Sequence, residues 1–311
     1  MNYDLNFPRA SQIHPASGVI KQDAADFYVE ELMNPNLAGD GEHVWLWLEK
    51  DGQNTEYVAK QIARYANVRS MDVGFSGMKD RWAVTRQWFS VYLGAKAAPD
   101  WEALELEGVR ILKTARHSKK LRRGEHYGNS FVIVVRALED YDYLESSLTS
   151  LKELGFPNYF GLQRFGIQGA NLERGELYFE GKIKASRSQR SFYLSAARSF
   201  LFNLNLAQAV VNGEWLNNEY GGPLYGDPQP QVAEITPTEQ IIFDQHIALV
   251  KGLHKNRLRL ERRPYRVVPD ALEWSVGVDD SVTLSFQLPT GVFATSLLDE
   301  IIKVTVASGQ V

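Results

Sequence analysis

The alternation of apolar and polar residues predicts β-strands in the first half of the chain and again near its end. In the strand predicted at His43–Leu48, three aliphatic side chains lie on one face and two tryptophans on the other, so we expect both faces to be covered. Further strands are predicted at Gly18–Gln22, Phe27–Leu32, Gln87–Leu93, Phe131–Val135 and Ser281–Leu288.

Apolar residues three or four positions apart predict helices between these strands. The helix predicted at Tyr141–Leu154 carries a leucine stripe and ends at Gly155. Other helices are predicted at about Thr55–Asn67, Ser188–Asn212, Thr236–Lys251 and Ala294–Ile302. Strand character at both ends predicts an α+β fold, in which residues 1–154 and 267–311 form a sheet domain and residues 155–266 form an inserted domain.

Length and composition restrict the classes of protein to which this chain can belong. The 311 residues suggest two units, and the absence of cysteine excludes disulfides, a thiolate nucleophile and Cys-ligated metal centres. The first residues lack the apolar region of a signal peptide, and no run of about 18 apolar residues occurs. We therefore expect a cytoplasmic protein without a membrane segment.

The net charge of −4 hides a strong segregation of charge. Arg116–Arg123 and Lys182–Arg198 each hold five cations and no acid, and Lys251–Arg266 holds seven cations and one Glu. These 41 residues carry +16, which leaves −20 on the other 270. A single cluster of this kind is usually a solvated face, but three together favour a polyanionic partner.

The loop Phe75–Trp82 holds the most conspicuous carboxylate. Asp80 stands between Lys79 and Arg81, and a positive potential there keeps a carboxylate ionised and able to act as nucleophile or general base. An ordinary surface turn is the alternative interpretation, which the spacing alone favours.

Two further segments carry groups suited to unpaired bases. Asn129 and Phe131 can offer an amide and a ring, or be a turn residue and a core residue. Pro157–Gly166 interleaves three aromatic residues, two amides and an arginine, and is either a stacking surface or a packed domain junction. The six histidines form no HExxH or HxH pair, and nucleotide-binding glycine motifs are absent. Neither a metal nor a nucleotide cofactor is therefore expected, and the residues alone do not name a reaction.

Six motifs in chain order resemble those of the tRNA pseudouridine synthase D (TruD) family. The resemblance extends from about residue 15 to residue 302. The motifs are Lys21 with Asp26–Glu30, Lys50–Thr55, Phe75–Asp80, Gly128–Phe131, Pro157–Gly166 and Leu288–Thr295.

The resemblance implies an isomerase that converts a uridine of tRNA, position 13 in the bacterial members, to pseudouridine without a cofactor. It implies a pseudouridine-synthase catalytic domain with a mixed, largely antiparallel sheet, and an inserted α+β domain called TRUD. It places the catalytic role on Asp80. The implied substrate-binding residues are Phe27, Asn129 and Phe293, with Lys21 and Glu30 as neighbours. The basic clusters would hold the RNA backbone through Arg116, Lys119, Lys120, Arg122, Arg123, Arg187 and Arg190. We expect a monomer.

Two other classes of function stay open at this point. A non-catalytic RNA-binding protein or chaperone would use the same basic surface and leave every nucleoside unchanged. A glycoside hydrolase would pair carboxylates such as Glu30 and Asp80, although the basic clusters speak against it.

Overall fold

The computed structural model describes residues 3–37, 39–277 and 279–306. The strands in this part of the chain are β1 Ala16–Ile20, β2 Phe27–Leu32, β3 His43–Asp51, β4 Val73–Phe75, β5 Val84–Tyr92, β6 Val109–His117, β7 Gly128–Glu139, β8 Phe156–Pro157, β9 Gly222–Leu224, β10 Glu261–Arg263, β11 Arg266–Val267, β12 Asp270–Val276, β13 Val282–Pro289 and β14 Ile302–Val306. The α-helices are α1 Thr55–Tyr65, α2 Tyr141–Leu154, α3 Ala170–Phe179, α4 Arg187–Val211, α5 Pro237–Gln245, α6 Ile247–Lys255 and α7 Ala294–Ile301.

Contacts divide the described residues into two compact units. The sheet unit comprises residues 16–141, 269–291 and 303–306, and the helical unit comprises residues 3–15, 142–268 and 292–302. These bounds group α2 and α7 with the central segment. The division into a catalytic domain (1–154 with 267–311) and a TRUD domain (155–266) is a functional statement and stays a prediction.

The sheet unit is built on one mixed sheet with the strand order β12-β13-β7-β2-β5-β3-β6. In addition, β4 lies beside β5, β1 beside β7, and β14 beside β1. β2 and β5 run parallel, whereas the other pairs along this order are antiparallel. The predicted α+β class with a mixed, largely antiparallel sheet is confirmed.

The register of this sheet gathers polar residues on the face that α1 also covers. Val44, Leu46 and Leu48 of β3 lie on this face and pack against α1. Further along the same face, Phe27 and Glu31 of β2 lie beside β7, where Glu31 pairs with Asn129. The opposite face carries the tryptophans of β3, of which Trp45 is buried. Both faces of β3 are covered, as the alternation predicts.

The helical unit packs around α4, the 25-residue central helix. Its fully buried Asn203 accepts a hydrogen bond from the Phe160 amide at 2.9 Å and donates one to the Phe160 carbonyl at 3.0 Å. This side chain therefore satisfies the backbone of a segment that has no strand partner there. The N-terminal residues 3–15 contribute Tyr3 and Phe7 to the same core.

Most predicted elements are present, with some differences. The single helix predicted at Thr236–Lys251 is two helices, because His246 has non-helical angles (φ −119°, ψ 38°). Phe192, which the four-residue apolar spacing of α4 would place in the core, is 60% exposed. The helix α3 and the strands β6 and β12 are among the elements that were not expected from the sequence.

Candidate active site

Three buried polar side chains hold the loop between β4 and β5 that carries Asp80. Lys50 Nζ donates to the Asp80 carbonyl at 2.7 Å, and Thr55 Oγ1 accepts from the Lys79 amide at 3.1 Å. Gln87 Nε2 donates to another loop carbonyl at 3.0 Å. All three holding residues have no solvent exposure. These three hydrogen bonds hold the backbone of the loop, and this gives the Asp80 carboxylate a defined position.

Asp80 forms an ion pair with Lys21 and keeps 38% of its side chain exposed. Burial raises the pKa of Asp80, but the hydrogen bond and charge of Lys21 lower it more, together with the Trp82 amide at 3.0 Å and the charge of Lys50. The net result is a pKa below the usual value, and hence an ionised carboxylate open to solvent.

The cations that ionise Asp80 are not its sequence neighbours. Lys79 points into the interior, and the Arg81 guanidinium lies 5.3 Å from the Trp82 ring. Lys21 reaches Asp80 from just after β1, where its backbone has a positive φ of 56°. Such a conformation is uncommon for a residue with a side chain and points to a position fixed by its surroundings.

An aromatic wall lies next to this ion pair. Lys21 Nζ is 4.5 Å from the centre of the Phe27 ring. Phe27 meets Phe131 edge-on at 6.5 Å, and Phe131 stacks on Phe286 at 5.2 Å. The side chains of Lys21, Phe27 and Asp80 are therefore brought together, as the resemblance implies.

Asn129 is fixed by a buried ion pair that the sequence did not point to. Lys79 Nζ donates to Asn129 Oδ1 and lies 3.7 Å from Glu31 Oε2. Burial raises the pKa of Glu31 and lowers that of Lys79, and their mutual attraction opposes both shifts. Because an ammonium only donates, the amide oxygen of Asn129 must face Lys79, which leaves its Nδ2 group for another acceptor.

Of the other predicted site residues, Glu30 lies on the other face of β2 and Phe293 belongs to the helical unit. Glu30 is on the opposite face of β2 from Phe27, where it accepts from the Tyr28 hydroxyl at 2.5 Å and lies 3.4 Å from Arg86. The structure does not bring it to Asp80. Phe293 precedes α7 in the helical unit, and its ring is 6.2 Å from that of Phe160.

The buried side chain of His126 contacts Ser76 at the start of the loop between β4 and β5. Ser76 Oγ accepts from the His126 amide at 2.9 Å and lies 2.6 Å from His126 Nδ1. Burial lowers the pKa of His126 to about 4, and the charge of Lys79 adds to this effect. His126 is therefore neutral at pH 7, and its Nδ1 can accept the Ser76 proton.

In the first basic cluster, some cations have structural partners and others are exposed. Arg116 donates to the carbonyls of Gly41 and Lys96, both at 3.1 Å, and Lys120 donates to that of Met71 at 2.5 Å. The exposed members are Lys119, Arg122 and Arg123. Arg122 and Arg123 help to line a hollow of about 370 Å³, where the Arg123 guanidinium lies 3.7 Å from the centre of the Phe75 ring.

The other two basic clusters also contain both exposed cations and cations with structural partners. Arg187 and Arg190 are exposed at the start of α4, and Arg190 donates to Asn256 at 3.0 Å. Arg198, further along α4, donates to the carbonyls of Tyr225 and Leu224 at 3.0 Å. In the third cluster Arg262 pairs with the buried Glu239 at 2.5 Å, which makes this cation part of the fold.

The described residues contain no group of three or more His, Cys, Asp or Glu side chains that could hold a metal ion. Within the same residues, no helix is long and apolar enough to cross a membrane.

Comparison with known proteins identifies the family. A family model described as tRNA pseudouridine synthase D (TruD) matches residues 8–186. The chain belongs to the TruD family. It is 37% identical to a tRNA pseudouridine synthase D of Hydrogenovibrio crunogenus, over 93% of each chain. It is 39% identical to one of Methylococcus capsulatus, over 96% of this chain and 94% of the relative.

The fold of the TruD family is also found in a solved structure. The crystal structure of a putative TruD from Methanosarcina mazei matches 96% of each chain, with a TM-score of 0.71 and 18% sequence identity. At this identity the likeness concerns the fold.

Proposed function

We propose that this TruD family member converts a uridine of tRNA to pseudouridine, with position 13 as the expected target. The observation that carries the proposal is the ionised, solvent-open carboxylate of Asp80, held by Lys21 and Lys50 beside the Phe27 ring. The chemistry needs one such carboxylate and a pocket for a base that has left its stack.

The reaction is a balanced isomerisation. The N1–C1′ bond breaks, the uracil turns, and a C5–C1′ bond forms while the C5 proton is lost and N1 gains one. Asp80 acts either as the nucleophile at C1′ or as a base in a route through a glycal. No redox change or added group is required, which agrees with a cofactor-free reaction.

The neighbours of Asp80 fit distinct roles in this reaction. Phe27 offers a ring for the displaced base, and Asn129 offers its Nδ2 donor to a uracil carbonyl or a ribose oxygen. The Lys21 ammonium can stabilise negative charge on the departing uracil. Phe293 is proposed as a second aromatic contact for the substrate. Glu30 holds Arg86 and Tyr28, so we assign it a supporting role in β2.

The exposed basic residues are proposed to hold the RNA backbone, whose phosphates position the substrate. Lys119, Arg122, Arg123, Arg187 and Arg190 present their side chains to solvent. Arg116 and Lys120 also hold backbone carbonyls, and we expect smaller contributions to RNA binding from them.

The test is the release of tritium from tRNA that carries 5-tritiated uridine. We expect Asp80→Asn to abolish release while tRNA binding persists, because the amide keeps the shape but removes the ionised oxygen. Asp72→Asn is the matched control, since Asp72 lies just before β4 and pairs with Arg69. Release by Asp80→Asn at the wild-type rate would show that Asp80 is not catalytic. Binding without any release by the wild type would instead favour a non-catalytic RNA-binding protein.

A further inference from the structure

A cavity of about 310 Å³ in the helical unit has a polar wall and an apolar wall. This volume is at the small end of ligand sites, which run from roughly 300 to 1,000 Å³. Ser191, Ser195 and Ser199 follow each other at intervals of four along α4 and thus share one helix face. The remaining lining residues are Phe160, Arg164, Leu194, Arg198, Leu224 and Leu258.

Arg164 is the most unusual residue of this cavity. Its Nη1 donates to Ser195 Oγ at 2.9 Å, and its guanidinium lies 5.4 Å from the Phe160 ring and 5.5 Å from the Phe293 ring. No acidic side chain in the described part of the chain forms an ion pair with it. A guanidinium has five N–H donors, so this side chain keeps donors in excess of its contacts.

The other arginine of the cavity is held differently. Arg198 donates to carbonyls of neighbouring segments and lies 3.4 Å from Glu261. Its charge and hydrogen bonds are therefore already used within the fold, whereas Arg164 has one side-chain hydrogen bond and no acidic partner among the described residues.

The serine row, which consists of Ser191, Ser195 and Ser199, also offers hydroxyl groups to the cavity. Ser199 is only 3% exposed and lines the cavity. Ser191, at the other end of the row, is exposed to solvent. A serine hydroxyl that lines a cavity can donate to a ligand or to water.

A partly buried cation without a counter-ion is unfavourable for folding, because one serine hydroxyl and two ring faces compensate less of the burial penalty than a carboxylate would. Burial alone lowers the pKa of Arg164. An anionic ligand would remove this penalty. The planar fork of arginine suits the oxygens of a phosphate, and serine hydroxyls donate to the same oxygens.

We propose that this cavity binds one phosphate-bearing nucleotide unit of the RNA substrate. The phosphate contacts Arg164 and the serine row of α4, and the ribose or base lies against the wall of Leu194, Leu224 and Leu258. The assignment rests on the proposed function for its choice of RNA over other anions, and it gives Arg164 a role in substrate binding.

The test compares Arg164→Met with Arg174→Met, a control on the exposed surface of α3. Methionine keeps much of the length that packs on the rings but removes the charge and the donors. We expect Arg164→Met to be as stable as the wild type or more stable in thermal unfolding. We also expect its tRNA affinity at low salt to fall about tenfold or more. The slope of log affinity against log salt should become shallower by about 0.7 to 0.9.

Single-turnover rates separate binding from chemistry. At saturating tRNA, Arg164→Met should release tritium at nearly the wild-type rate, and Arg164→Lys should have intermediate affinity because it keeps the charge but loses the fork. Unchanged tRNA affinity would overturn the proposal, and so would a lower melting temperature that accounts for the whole effect.

Titration with uridine 5′-monophosphate and with inorganic phosphate tests the source of the anion. Binding of either compound that depends on Arg164, combined with unchanged tRNA affinity, would make the cavity a site for free anions and overturn the RNA assignment. Failure of the proposed function would look different, because the wild type itself would then release no tritium.

Discussion

Among single residues, Lys79 determines the direction of Asn129, the proposed substrate contact. Its ammonium holds Asn129 Oδ1, so the direction of the Asn129 amide depends on a side chain that does not reach solvent. We therefore predict that Lys79 acts as a positioning residue, with its contribution in the rate of the chemical step more than in RNA binding.

We predict that Lys79→Met lowers kcat for tritium release by roughly tenfold to a hundredfold, with a much smaller change in KM. Adding Glu31→Gln to this variant removes the buried carboxylate that Lys79→Met leaves unpaired, and should restore stability without restoring kcat. The kcat for tritium release and the stability of the two variants together distinguish a positioning role from a role in folding. If the double variant regained both, Lys79 would serve only the fold.

His126 predicts a specific dependence of stability on pH. Its pKa of about 4 in the folded state is below the ordinary value of 6.5, so the unfolded chain takes up the proton first as pH falls. Its contribution to stability is therefore present above pH 6.5 and is lost between pH 6.5 and about 4.

Between pH 7 and pH 5, the free energy of unfolding of the wild type should fall as His126 is protonated in the unfolded chain. We predict that this fall is about 2 kcal/mol smaller in His126→Asn, which does not titrate, when both are measured by urea unfolding. The asparagine oxygen can still accept from Ser76. If the free energy of unfolding fell equally in the two proteins, the pKa of His126 would not be lowered in the folded state.

At the scale of elements, β4 connects the loop that carries Asp80 to the first basic cluster. A Cβ on Gly74 would lie 2.3 Å from the Leu121 carbonyl and 2.8 Å from Ser90 Oγ, the atom that accepts from the Leu121 amide at 2.9 Å. This strand can therefore lie against Leu121 only with a glycine at position 74.

We predict that Gly74→Ala lowers the free energy of unfolding by about 1 to 3 kcal/mol, because backbone and not a flexible side chain must move. The shift of Leu121 should displace Arg122 and Arg123 and weaken tRNA binding severalfold. Urea unfolding and filter binding measure the two effects. Wild-type values in both would show that the segment around Leu121 adapts freely.

Elements were predictable where one or both faces are buried. The strands β2 and β3 show clear patterns because their apolar positions enter cores. The strand β6 has no fully buried residue among its nine, so no apolar alternation distinguishes it from a loop. The break at His246 is equally invisible, since apolar spacing continues through it.

The candidate site was predictable in part, through the motifs of the family resemblance. Asp80, Lys21, Phe27 and Asn129 came from motifs, and the sheet unit assembles them. Glu31 has a signal in the alternation of β2, which puts it on the Phe27 face and Glu30 on the other. The inward direction of Lys79 has no such signal, because it depends on a loop held by Lys50, Thr55 and Gln87.

For the whole molecule, the distribution of charge matters more than its sum. The net charge of −4 is compatible with RNA binding because exposed cations of the first two clusters are concentrated in short segments. Their interaction with phosphates releases counter-ions, so tRNA affinity should fall steeply as salt rises.

We predict that charge reversal at Arg122, Arg123, Arg187 or Arg190 weakens tRNA binding and makes the salt dependence shallower, without moving the modified uridine. Lys60→Glu on the exposed side of α1 is the control of equal charge change. Filter binding over a salt series and mapping of pseudouridine measure the two effects. If none of the four reversals differs from the control, the RNA lies elsewhere.

The pairing of β7 with β13 governs when the site can form during synthesis. β13 contacts β7 along eight residue pairs, from Val282 with Val135 to Pro289 with Gly128, and this register includes Asn129. On the ribosome, β7 emerges long before its partner and exposes an unpaired strand edge that can associate with other chains. A nascent chain therefore completes the β7–β13 pairing, which includes Asn129, only after residue 289 has left the exit tunnel.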